Sequence, residues 1–145
     1  MIGEVLAAAL GTVGFSILYG VPKKFYFNCA LIGAAGWLVY KVAILLGAGI
    51  TLAVFAAAVV LVLLSRFAAV FCQCPSTVFL IAGIFPLVPG AQIYWSVYYL
   101  VTNQFDEALS SGFSALKVMI AIVLGIVFVF EIPHKVFSIA NVKKK

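Results

Sequence analysis

The chain has 145 residues, of which 66% are hydrophobic and only 9% charged, with a mean hydropathy of +1.28. That balance excludes a soluble domain and leaves a membrane protein whose apolar runs match the ~20 residues a bilayer-spanning helix needs. The formal net charge of +5 is spread over segment ends, so it reads as membrane anchoring and not as nucleic-acid binding.

The expected fold is an all-α membrane protein of about five transmembrane helices forming a single domain over residues 1–145. Strict apolar/polar alternation, the mark of a membrane barrel, is absent. The first span is expected at about residues 2–20, ended by Val21-Pro22-Lys23-Lys24. It carries Glu4 and no basic leader, which reads as a retained helix, not a cleaved signal. The second span is expected at about 27–46 and the third at about 50–65, joined by Gly47-Ala48-Gly49. Arg66–Thr77, with Cys72-Gln73-Cys74-Pro75, reads as a loop or interfacial turn. The fourth span is expected at about 78–101 and the fifth at about 113–132, stopped by Pro133. Asp106 and Glu107 follow Asn103 with capping-like spacing and are expected to open the last helix.

The fourth run contains Pro86-Leu87-Val88-Pro89-Gly90. Each proline lacks an N–H and collides with the preceding turn, so the helix cannot pass straight through. In hydrocarbon each unsatisfied backbone group costs several kcal/mol, so such a break survives only where protein or a polar cavity covers it. It is either a packed kink or the solute path of a transporter, because broken helices at mid-membrane build transporter sites. The path reading takes in Pro86, Pro89, Gly90, Gln92, Tyr94 and Lys41. Tyr94, Trp95, Tyr98 and Tyr99 also read as an interfacial aromatic belt. Lys41 lies inside the second span, where its stem either snorkels to the interface or faces a wet path that attracts carboxylates. Lys117 has the same two readings, and the two lysines together would make an outer vestibule for carboxylates.

Gly11 and Gly14 in the first span, and Gly33 and Gly36 in the second, recur at helical spacing and read as packing seams. The three cysteines have no partner set at zinc-ligand spacing, so no metal and no cofactor is expected. No catalytic constellation and no phosphate loop occurs, so the chain is not expected to be an enzyme, and any transport is gradient-driven or partner-powered. With Lys23, Lys24, Arg66 and the C-terminal lysines inside, the positive-inside rule gives an external N-terminus and a cytoplasmic C-terminus.

Three blocks carry a family resemblance: Gly14-Phe15 with Val21-Pro22; Cys29-Ala30-Leu31-Ile32-Gly33-Ala34-Ala35-Gly36; and Ser65-Arg66, Pro75 and Ile84-Phe85-Pro86-Leu87-Val88-Pro89-Gly90-Ala91. In that order they resemble the small membrane subunit of the threonine/serine exporter family, which includes two-component bacterial succinate exporters. The resemblance implies a five-span unit in the bacterial plasma membrane that works beside a second five-span subunit with a soluble N-terminal region. The solute it implies is a small polar organic acid or amino acid, such as threonine, serine or a dicarboxylate. It places Pro86, Pro89 and Gly90 on the family's Pro-x-x-Pro-Gly motif. A non-transporting membrane scaffold and a homo-oligomeric channel are the alternatives.

Overall fold

The computed structural model describes residues 2–133, and the basic tail with Lys143–Lys145 lies outside the described residues. The chain is an all-α membrane protein with the order α1 (Ile2–Leu18), α2 (Tyr26–Leu45), α3 (Ile50–Cys72), α4 (Thr77–Ile84), α5 (Gly90–Val101) and α6 (Phe105–Phe130). Short 3-10 turns at Lys23–Phe25 and Phe85–Leu87 precede α2 and follow α4. Lys23–Leu45, Ile50–Cys72 and Phe105–Phe130 are each long and apolar enough to cross a bilayer. The pair Thr77–Leu87 and Gly90–Val101 passes the same test together, bent by 52° at the prolines. α1 is apolar but, at 17 residues and about 25 Å, shorter than these, so the described residues hold three helices long enough to span, or four with the bent pair as one span, against the five expected.

Two boundaries differ from the sequence expectation. The third helix does not stop near Ser65 but continues through Arg66 to Cys72. The charge is tolerated because Arg66 is buried against α6, where its Nη1 donates to the carbonyls of Val129 at 2.7 Å and Ile132 at 3.0 Å. A cation at a helix C-terminus meets the carbonyls that lack intrahelical donors, a favourable arrangement. The guanidinium also lies 5.5 Å from the Phe130 ring centroid. Gln73, in the left-handed region at φ 51°, then ends α3. The last helix begins at Phe105, ahead of the span expected from about 113, and opens with Asp106 and Glu107 in its first turn as their spacing predicts, where the helix dipole favours anions.

α3 is the central helix. Its buried side, Ala53, Val54, Ala57, Ala58, Leu61, Val62 and Ser65, packs between α2, α4 and α6. Small residues set these distances, as close helix contacts within a membrane demand. A Cβ on Gly125 of α6 would stand 2.8 Å from the Ala58 Cβ, and one on Gly36 of α2 would stand 2.9 Å from Leu61 Cδ1. A Cβ on Gly33 would overlap the Thr12 hydroxyl of α1. Thr12, Ser16 and Ser65 are fully buried and return their hydroxyl protons to the carbonyls of Ala8, Thr12 and Leu61 at 2.8, 2.8 and 2.9 Å. The hydroxyls therefore add no unsatisfied donor to the core.

Gly11 and Gly14 are different. A Cβ on either meets nothing within 4 Å, and both residues are exposed. Gly33→Ala is therefore expected to destabilise the folded protein by about 1–3 kcal/mol through overpacking. Gly14→Ala is expected to be neutral or slightly stabilising, since alanine is the better helix former. Thermal unfolding of the two variants in the same detergent checks the contrast.

Candidate functional site

The break is built from local chemistry. Residue 86 is proline, so the Ala82 carbonyl loses its usual helical donor. The chain tightens into the 3-10 turn Phe85–Leu87, and Val88 N–H donates to the Phe85 carbonyl at 3.1 Å. Val88 is extended and Pro89 sits at φ −77°, ψ 57°, which makes an inverse γ-turn. Gly90 N–H closes that turn on the Val88 carbonyl at 2.8 Å. The Pro86 carbonyl therefore loses the Gly90 donor that a continuous helix would supply. α5 then restarts with Ile93 N–H on the Pro89 carbonyl at 3.1 Å, and no side chain caps its first turn. An uncapped helix start presents amide N–H groups and the positive end of the helix dipole.

These backbone groups border a cavity of about 250 Å³. The stretch Pro86–Gln92 forms one wall. Trp37 and Tyr40 of α2, Ile50 and Val54 of α3 and Val118 of α6 complete it. Irregular backbone thus meets a partly open cavity bordered by three other helices, and protein or a cavity beside the break is what lets a broken helix survive within a span. Gly90 opens into it, since a Cβ there would meet nothing within 4 Å.

On the other side of Pro86 lies a groove of about 320 Å³, lined by Glu4, Ala7, Ala8, Gly11 and Phe15 of α1 with Trp37, Phe85 and Pro86. The Phe15 and Phe85 rings stack at 3.9 Å between centroids and bound it at one end, with Tyr19 against Phe85 at 5.5 Å. Near the other end, Lys41 Nζ pairs with Glu4 Oε2 at 2.7 Å and tops the Trp37 ring at 5.9 Å. Trp37 separates the groove from the cavity and lines both.

The structure brings together four of the six residues of the expected path, Pro86, Pro89, Gly90 and Gln92. Lys41 lies behind Trp37, with its charge held by Glu4. Tyr94 is 62% exposed and belongs to an aromatic ladder with Trp95, Tyr98 and Tyr99 on α5, outside that cavity. α5 itself buries no side chain and rests mainly on α6, where Ser96 Oγ donates to the Ala108 carbonyl at 2.9 Å. Lys117 is exposed and does not line the cavity, so the two lysines do not form one vestibule around it. Trp37, Tyr40 and Glu4 had no place in the sequence-based path. The signal for Trp37 was its spacing of four residues from Lys41, which puts both on one helix face. Glu4 had no local signal, since its partner lies on another helix.

These features define a multi-pass, all-α membrane protein organised around a broken helix. Residues 4–132 match the family described as Threonine/Serine exporter, ThrE, and the chain belongs to that family. It is a family of transporters, not of enzymes. An uncharacterised protein of Haemophilus influenzae is 27% identical over 138 residues, covering 92% of this chain and 46% of that protein. The chain thus spans about half the length of the curated relative it matches. No solved structure matches.

The cavity predicts a labelling pattern. In a background with Cys29, Cys72 and Cys74 replaced by alanine, a cysteine at Gln92 should react with a water-soluble maleimide. Adding Gly90→Leu should place a side chain in the opening and slow that reaction by about tenfold, with little change in folding because nothing stands in its way. Mass spectrometry of timed reactions reads both rates.

Proposed function

We propose that this chain is one half of a secondary exporter that moves a small polar organic acid or amino acid across the bacterial plasma membrane by alternating access. The observation that carries this is the cavity at Pro86–Gln92, where a broken span offers unpaired backbone groups to a space between helices. Membership of the exporter family supports the same reading. The 52° bend favours one broken span over a re-entrant hairpin, because a hairpin needs a near reversal of direction. With α1 as a fifth crossing beside the four longer spans, the N-terminus lies outside and Lys23, Lys24 and Arg66 lie on the cytoplasmic side.

The other half is a second membrane subunit, with a soluble N-terminal region, on a separate polypeptide. The relative of Haemophilus influenzae carries more than half of its residues beyond the matched segment, room for a second half of this kind. Little transport is therefore expected from this chain alone in liposomes, against full export from cells that also hold the partner. Full transport by the single purified chain would count against a two-component machine.

The break is tested by Pro86→Ala combined with Pro89→Ala. The change restores the donors that a continuous helix needs, so membrane insertion should survive. Export from whole cells should fall by at least tenfold, with complex assembly measured in parallel. Normal export from a fully assembled double variant would reduce the break to a kink, as a scaffold would have it.

A further inference from the structure

We propose that Lys41 and Trp37 form a carboxylate-binding site in the groove between α1, α2 and the break, and that Glu4 is the internal carboxylate that fills it when no solute is bound. The inference deepens the exporter reading and rests on it for the identity of the solute. Three observations carry it.

The first is the placement of the pair. Glu4 and Lys41 meet at 2.7 Å, and Glu4 lines the groove that runs to Phe85 and Pro86. Both side chains keep partial access to the surroundings, at 48% for Glu4 and 30% for Lys41. A solute can therefore reach the pair without dismantling the core.

The second is Trp37. Its indole Nε1 is buried and makes no hydrogen bond. A buried donor without a partner is costly and calls for an explanation. The Glu4 carboxylate is near enough to interact with it, and Lys41 stands over the same ring. One ammonium and one N–H donor thus converge on a single carboxylate position. Glu4 occupies that position through its ion pair and lies beside the indole N–H without a hydrogen bond of good geometry to it. A solute carboxylate seated squarely between both donors would complete the indole hydrogen bond that Glu4 approaches but does not align with.

The third is what Glu4 holds shut. α1 touches α2, α4 and the turn at Phe85–Leu87 but makes no substantial contact with α3, α5 or α6. Thr12 of α1 seats against Gly33 of α2, with the Glu4–Lys41 pair toward one end of α1 and the Phe15–Phe85 stack toward the other. Exchanging Glu4 for a solute carboxylate replaces one carboxylate by another, so the lysine stays neutralised throughout. The released Glu4 lies in the first turn of α1, where the helix dipole and water stabilise it. The end of α1 is then free to leave α2 and open the groove toward Pro86. Binding and opening become one event.

The test uses Trp95→Phe, which leaves Trp37 as the single tryptophan. The purified full chain in lipid nanodiscs is titrated with sodium succinate, with L-serine, and with ethanolamine, which is serine without its carboxylate. Trp37 emission should respond to succinate or serine and not to ethanolamine. Lys41→Met should weaken that response at least tenfold, and Lys41→Arg should retain most of it. Glu4→Gln should tighten binding by about tenfold, because the internal competitor is gone. Trp37→Phe, read by the thermal shift that succinate or serine induces, should lose affinity while keeping its fold. Serine and succinate export from the host cells, with the native copy replaced by each variant, separates the two levels of the argument. A carboxylate response that Lys41→Met leaves unchanged, or an equal response to ethanolamine, overturns the site even where export persists and the exporter reading stands. The predicted binding pattern in cells that export neither solute upholds the site and removes the exporter reading.

Discussion

The structure depends on one constraint: two prolines three residues apart remove backbone donors inside an apolar span. A lone break of this kind would be too costly in lipid. The protein resolves it by surrounding the break with the other helices. α4 keeps the upstream half in the bundle, with Phe79 and Ala82 fully buried against it. The γ-turn at Pro89 recovers one carbonyl, and the 3-10 turn recovers another. What remains borders a cavity instead of lipid. The break therefore needs α2, α3 and α6 around it, and their close approach needs Gly36 and Gly125.

The same logic explains where polar side chains are allowed. Arg66 is tolerated in α3 because α6 ends beside it and offers carbonyls. The buried hydroxyls of Thr12, Ser16 and Ser65 are satisfied by their own helices. Lys41 is neutralised by Glu4. Only the Trp37 indole departs from the pattern among buried side-chain donors of the described residues, and it lies between the cavity and the groove. An exception at that position carries more weight than one at a random point of the core.

The break and its class of protein were legible in the sequence because proline chemistry is local and hydropathy needs only a window of residues. Gly33 and Gly36 were legible as small residues at helical spacing, but nothing local distinguished them from Gly11 and Gly14, which face open space. That difference is set by which side of α1 turns toward α2. Arg66 misled for a related reason. A charge after an apolar run ends a span unless another helix terminus meets it, and that terminus lies 63 residues further along the chain. Glu4 and Lys41 were invisible as a pair because their contact is tertiary.

The pair also changes what Lys41 can do. A bare ammonium near the bilayer would act as a fixed attractor for any anion, and its cost would fall on the folded state. Joined to Glu4, it attracts only a group that can match the geometry of a carboxylate and outcompete one already in place. Selectivity then arises from competition within the protein, because a weakly bound anion gains nothing over Glu4. The second donor decides that competition, since Glu4 pairs with the lysine but sits beside the indole N–H without a well-formed hydrogen bond. A helix packed along α2 and tied near its start by an exchangeable carboxylate is thus both lock and sensor, and movement of that end would expose the irregular backbone that the prolines created.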